Sequence, residues 1–129
     1  MSNYSYEPLL TYMSLDIEKI GKIFKSLGDT NRLRIVLSIG KGSFSVTEII
    51  HATELSQTLV SFHLRTLRNS GILKTKRNGP FIYYSLSSPD IIDILNKISR
   101  VIDSTELITG KANNTFQEKV ELKIKGGAL

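Results

Sequence analysis

The residues of this chain that could act on another molecule are basic and lie in one segment. Residues 55–89 contain no Asp or Glu, but they contain Arg65, Arg68, Lys74, Lys76 and Arg77. The whole chain has 17 Lys and Arg against 12 Asp and Glu, so the remaining residues balance at 12 against 12 and this segment carries the entire net charge of +5. Such a concentration of charge is the footprint expected of a protein that binds a polyanion. A solvated basic face without a ligand is the alternative.

Residue types that catalysis needs are largely missing. The chain has no Cys, and we expect its two histidines, His51 and His63, to have no paired acid. It also lacks a glycine-rich phosphate loop and a pair of carboxylates set in an apolar cleft pattern, so we predict that it is not an enzyme. We predict no cofactor. We also predict no metal site, because Asp and Glu side chains bind a hard ion only when they are held together in a preorganised cage, and nothing in the sequence indicates one.

Length and composition indicate one folded domain. A chain of 129 residues, 40% of them hydrophobic and 22% charged, can bury a single core. No apolar run is long enough to span a membrane, and the N-terminus lacks the pattern of a signal peptide. We therefore expect a cytoplasmic protein with no membrane partner. The predicted parts are an arm over residues 1–13, the domain over 14–104, and a tail over 105–129 that is either flexible or a short strand.

Two amphipathic helices are predicted before the basic segment. From Ser14 onward, apolar residues recur at helical spacing, and Gly28 is a suitable C-cap for this first helix. Asp29 or Thr30 can cap the second helix. Its predicted buried residues are Leu33, Val36, Leu37 and Ile39.

Two short helices joined by a tight connection follow. Ser45 and Glu48 have the spacing of a capping box, which predicts a helix over 46–53. Ser56 can cap the next helix, which ends before Gly71. Its predicted buried residues are Val60, Leu64 and Leu67. This arrangement indicates a helix-turn-helix.

Two strand-like runs and an apolar helix complete the domain. Asn78-Gly79 separates runs over 72–76 and 81–86, which is a strong signal for a β-hairpin. Ser88 and Pro89 then open a last helix with a nearly continuous apolar stripe. The predicted fold is mainly α with a small β-hairpin wing, that is, a winged helix-turn-helix.

Three segments carry a resemblance to known proteins. They are LGDTNRLRI at 27–35, LSQTLVSFHL at 55–64 and GPFIYYSL at 79–86. In this order they resemble the second helix, the recognition helix and the returning wing strand of the ArsR/SmtB family of transcriptional repressors, over about residues 15–102. The resemblance implies a sequence-specific regulator that binds double-stranded DNA, most simply as a repressor.

The resemblance also implies a homodimer, because the first and last helices form the twofold interface in that family. The predicted interface residues are Ile17, Ile20, Phe24, Ile91, Leu95, Ile98 and Ile102. A twofold axis would place two recognition helices in successive major grooves, about 34 to 36 Å apart, on an inverted repeat. The alternative is that the last helix only completes the core of one chain.

Predicted DNA contacts lie on the recognition helix and the wing. The helix residues are Gln57, Thr58, Ser61, Phe62, Arg65 and Arg68, with Ser56 either contacting DNA or only capping. Gln57 can pair with adenine, Arg65 can bind guanine or phosphate, and Phe62 would contact a thymine methyl or be half-buried. We expect His63 to pack rather than read bases. On the wing, Lys74, Lys76, Arg77 and Asn78 would lie along the DNA backbone or enter the minor groove.

Positions that hold metal ligands in related sensors carry other residues here. Ser45, Val46 and Thr47 stand where cysteines are common, and the last helix has no His. The effector therefore stays open between a small molecule, a protein partner and none. The competing function is a winged helix that binds proteins without specific DNA binding, which would not need the acid-free basic segment.

Overall fold

The elements of the fold are given by a computed structural model that describes residues 15–105 of the chain. Within that range the elements are α1 Ile17–Leu27, α2 Thr30–Ile39, β1 Phe44–Ser45, α3 Val46–Thr53, α4 Gln57–Asn69, β2 Leu73–Asn78, β3 Phe81–Leu86 and α5 Asp90–Thr105. The strands form an antiparallel sheet in the order β1-β3-β2. The predicted winged helix-turn-helix is confirmed, with α3 and α4 as the helix-turn-helix and β2 and β3 as the wing. The predicted arm and the tail beyond residue 105 lie outside the described residues.

Side-chain caps fix where the helices begin. The carboxylate of Asp16 accepts a hydrogen bond from the Lys19 backbone N–H at 3.1 Å, so α1 starts later than the predicted onset at Ser14. Asp29, rather than Thr30, caps α2. It accepts from the backbone N–H groups of Asn31 at 2.9 Å and Arg32 at 3.0 Å.

The helix-turn-helix has the caps predicted from the sequence. The Ser45 N–H donates to Glu48 Oε1 at 3.2 Å, and the Glu48 N–H donates to Ser45 Oγ at 3.3 Å, which completes the capping box. Glu54 then turns the chain in a left-handed conformation with φ 58°. Ser56 caps α4 by accepting from the Leu59 N–H at 3.2 Å.

We expect Ser45→Ala to lower the free energy of unfolding by about 1 kcal/mol, because it removes the acceptor for one of the orphan N–H groups of α3. Denaturant unfolding followed by circular dichroism measures this loss. Ser43→Ala is the matched control, since Ser43 is exposed and lies outside the helices and strands. Equal midpoints for the two variants would contradict the importance of the cap.

The core is formed where α2, α3 and α4 meet the base of the sheet. Its buried residues are Ile35, Val36, Ile39, Ile49, Val60, Leu64, Leu67, Ile72, Leu73 and Leu86. The prediction for α4 is confirmed. For α2 it is wrong at Leu33 and Leu37, which are partly exposed, whereas Ile35 is fully buried. The reason is that α2 packs against α1, α3, α4 and β3 at once. The positions of these four elements, rather than the periodicity of the helix, decide which residues of α2 are buried.

The wing turn differs by one residue from the prediction. Asn78 pairs with Phe81 as the last residue of β2, so the two turn residues are Gly79 and Pro80. Gly79 has φ 61°, as the first position of a type II′ turn requires, and Pro80 has no N–H to give to a strand ladder. Asn78 is therefore an exposed strand residue rather than a turn residue.

The last helix packs on the core only near its start. Ser88 supplies its first hydrogen bonds, and Ile91, Ile92 and Leu95 pack against the core cluster. Among the helices of residues 15–105, none combines the length and apolar character needed to cross a membrane.

Candidate nucleic-acid interface

Helix α4 has one buried side and one polar side. Val60, His63, Leu64 and Leu67 are buried. The opposite side exposes every helix residue predicted to contact DNA, namely Gln57, Thr58, Ser61, Phe62, Arg65 and Arg68. Ser56 is also exposed, and its hydroxyl is used as the cap. The structure thus brings the predicted base-contacting residues together on one accessible surface.

The basic residues of the wing project from both faces of the hairpin. Leu73 on β2 and Leu86 on β3 are paired and buried, so the face that they share is the core face. Because side chains alternate along a strand, Arg77 belongs to this core face, and Lys74, Lys76 and Asn78 belong to the other. All four are exposed. The wing therefore presents its positive charge on two sides near the tip.

A polar groove runs between α4 and the core face of the sheet. Its volume is about 440 Å³, and it is lined by Val46, Ser61, Leu64, Arg65, Arg68, Asn69 and Tyr84. Tyr84 packs inward against the core, while Tyr83 lies on the opposite face of β3. Two guanidinium groups beside a hydroxyl-lined groove suit a phosphate oxygen.

His63 is fixed inside the protein, as predicted. It is 5% exposed, and its Nδ1 lies 3.4 Å from Arg32 Nη1. Nδ1 faces a guanidinium, which can only donate. Nε2 lies 3.9 Å from Asp29 Oδ1, so the expectation that this histidine has no acidic partner is wrong. The pKa of the Asp29 carboxyl is lowered, chiefly because the Arg32 backbone N–H donates a hydrogen bond to it.

Arg32 joins three helices, a role that the sequence analysis missed. Its Nε donates to the Ser26 carbonyl and its Nη2 donates to the Lys25 carbonyl, so it satisfies the C-terminal end of α1. From α2 it also reaches His63 on α4. The spacing of Asp29 and Arg32 in LGDTNRLRI indicates only the local cap, and the contact with His63 spans 31 positions.

Apolar side chains are exposed on α1 and along one side of α5. On α1 these are Ile17, Ile20 and Phe24, of which Ile17 is 69% exposed. On α5 they are Ile94, Ile98 and Val101, and Ile94 is 51% exposed. Among the other predicted interface residues, Ile91 and Leu95 pack against the core of the chain itself, and Ile102 is partly buried.

Metal-binding side chains are scattered in the part of the chain that the structure describes. Within residues 15–105, no three His, Asp or Glu side chains come close enough together to hold an ion.

Comparisons with known proteins agree with this architecture. Residues 29–75 match the family model described as "Bacterial regulatory protein, arsR family". The arsenic resistance transcriptional regulator ArsR2 of Pseudomonas putida is 41% identical over 104 residues, which cover 80% of this chain and 84% of that protein. The cadmium resistance transcriptional regulatory protein CadC homolog of Staphylococcus aureus is 33% identical over 101 residues, which cover 73% of this chain and 83% of that protein.

Solved structures show the same fold. The homodimeric winged helix-turn-helix DNA-binding domain Mb0332 of Mycobacterium bovis superposes with a TM-score of 0.63 at 22% identity, covering 88% of this chain and 99% of that one. At this identity the likeness concerns the fold alone.

Proposed function

The chain belongs to the ArsR family of bacterial transcriptional regulators, and on this premise we propose that it is a homodimeric repressor that reads an inverted repeat in double-stranded DNA. That it is a DNA-binding regulator of transcription and not an enzyme follows from the family. The homodimer, the inverted repeat and the individual contacts are our proposal.

The observation that carries the proposal is the exposed face of α4. Gln57, Thr58, Ser61 and Arg65 are accessible on it, and they lie in a segment of 35 residues without a single carboxylate. Short polar side chains and Arg are the groups that hydrogen-bond to base edges in the major groove. A neighbouring carboxylate would repel the phosphates, so its absence across helix and wing supports a DNA-binding surface.

The proposed backbone contacts come from the wing. Lys76 and Arg77 are adjacent near its tip but project from opposite faces. A wing tip placed in the minor groove would bring each of them toward the phosphates of a different strand. Arg68, which lines the groove together with Tyr84, would bind a phosphate between helix and wing.

The proposed dimer uses the apolar faces of α1 and α5. Exposed Ile, Val and Phe side chains at positions that recur along two helices form the kind of patch that marks a protein interface. Pairing these faces around a twofold axis would give two copies of α4, as an inverted repeat requires. A homodimer is compatible with this fold, since the M. bovis domain of the same fold is one.

Base contacts and backbone contacts predict different losses of affinity. We expect Gln57→Ala to weaken binding to the specific site by about 1 to 3 kcal/mol per contact and to reduce discrimination between sites. We expect Arg77→Ala or Lys76→Ala to weaken all DNA about equally and to lower the salt slope by about one for each lost phosphate contact. Titrations with a selected and a scrambled duplex at several salt concentrations measure both effects.

A control for the loss of positive charge is Lys97→Ala, because Lys97 is exposed on α5 away from the helix-turn-helix. Its salt slope should match that of the unmodified protein. Equal sequence dependence and equal slopes for Gln57→Ala and Lys76→Ala would overturn the assignment of helix to bases and wing to backbone. Failure to enrich any sequence from a pool of random duplexes would overturn the proposed function itself.

A further inference from the structure

We propose that Phe62 recognises the 5-methyl group of a thymine, so that each half-site of the operator contains a T·A pair at the position that Phe62 meets. This inference rests on the proposed function and names a specificity-determining residue of the same surface.

Phe62 is an apolar ring displayed among polar groups. Its side chain is 61% exposed, and it does not belong to the apolar cluster that forms the core. On α4 it lies four residues after Thr58 and three before Arg65, so all three share the side that faces away from the core. Leu59, one turn earlier, is 42% exposed and extends the apolar area. Two exposed apolar side chains on the side of α4 that is proposed to contact bases indicate that the ligand offers an apolar group there.

Thymine supplies the one apolar group among base edges in the major groove. The edges of guanine, adenine and cytosine there present hydrogen-bond donors and acceptors, whereas thymine adds its 5-methyl group. A phenyl ring can form no hydrogen bond, so opposite any other base it would leave donors or acceptors without a partner. Contact with a thymine methyl instead removes apolar surface of both groups from water.

The Phe62 ring has an aromatic contact within the protein, with the next residue of the chain. The centroids of Phe62 and His63 are 5.3 Å apart with an angle of 71° between the planes, which is an edge-to-face contact. His63 is itself buried and held by Arg32, so the support of the ring reaches the interior of the protein. A contact that favours one orientation of the ring would lower the conformational entropy lost on binding, which favours specific recognition.

The experiment replaces thymine by deoxyuridine, which removes the methyl group and leaves base pairing intact. A duplex that the protein selects from a random pool is first identified. The T positions of the half-site are then replaced one at a time, and each replacement is made in both half-sites of the duplex. At one position we expect the affinity of the unmodified protein to fall about fourfold per half-site, or roughly 15-fold for both half-sites. This is the loss expected when each half-site gives up the burial of one methyl group, taken as equal to one methylene. Phe62→Ala should bind the thymine duplex more weakly and lose its sensitivity to deoxyuridine at that position.

Phe81→Ala is the matched control, because Phe81 is 57% exposed but lies on the wing at the start of β3. It should keep the full deoxyuridine penalty. The inference is overturned if no replacement weakens the unmodified protein, if Phe62→Ala keeps the penalty, or if Phe62→Ala changes the sedimentation mass because the ring contacts protein instead. Each of these outcomes leaves selective DNA binding, and with it the proposed function, intact.

Discussion

Replacing Ile98 by Glu is expected to convert the protein to a monomer and to weaken binding to its operator by at least about a hundredfold. Ile98 lies on α5 between Ile94 and Val101 at helical spacing, in the middle of the exposed apolar stripe. A carboxylate placed there would be buried without a partner in the proposed interface, which costs several kcal/mol. The second half-site would then have to be bound by a separate molecule, and an avidity gain of about 10² to 10⁴ would be lost.

Sedimentation velocity at several protein concentrations, together with titration of the selected duplex, measures both consequences. Asn96→Glu is the control, because it adds the same charge to the same helix at an exposed position on the opposite side from Ile98. We expect this variant to stay dimeric and to bind DNA nearly normally. If Ile98→Glu remained fully dimeric, the interface would have to lie elsewhere.

A monomeric Ile98→Glu variant should still be folded. Ile98 is exposed in the single chain, and the core is built by α2, α3, α4 and the sheet. Its circular dichroism spectrum should therefore keep its helical shape, and weak, salt-dependent binding to any DNA should persist through the basic surface of one chain. This combination distinguishes loss of the dimer from loss of the fold.

Local signals in the sequence predicted most of the secondary structure. The helix over 46–53 was placed correctly because Ser45 and Glu48 satisfy each other within one turn, and that contact needs no information about the rest of the fold. The same holds for Ser56 at the start of α4. The wing turn moved by one residue because both Asn78-Gly79 and Gly79-Pro80 can form a turn, and pairing along the whole hairpin decides between them.

Packing between distant elements could not be read from periodicity. On α5 the apolar positions form a band too wide to show which residues pack against the core, and the structure selects Ile91 and Leu95 for the core and exposes Ile94. On α2, Ile35 is buried because helices and sheet surround it on several sides. The contact between Arg32 and His63 joins residues that no local pattern connects.

That contact leads to the prediction with the largest expected effect on stability. Arg32→Met keeps the aliphatic stem of the side chain but removes the donors to the Ser26 carbonyl and to Nδ1 of His63. Ser26 and His63 are both buried and their contacts with Arg32 are partly buried, so water would replace the guanidinium only in part. An unsatisfied buried acceptor costs about 1 to 3 kcal/mol, and we expect a total loss of roughly 2 to 4 kcal/mol in the free energy of unfolding.

Denaturant unfolding at a fixed protein concentration measures this loss, since the stability of the proposed dimer would depend on concentration. Lys22→Met is the matched control, because it also replaces a long cationic side chain by Met but at an exposed position on α1. We expect the control to change the stability by less than about 0.5 kcal/mol. Arg32→Lys should lie between the two, since one ammonium group can replace the charge but not all the donors of the guanidinium. Equal stability of Arg32→Met and the control would mean that α1 and α4 are held together by apolar packing alone. The contact between Arg32 and His63 would then contribute nothing to the position of Phe62.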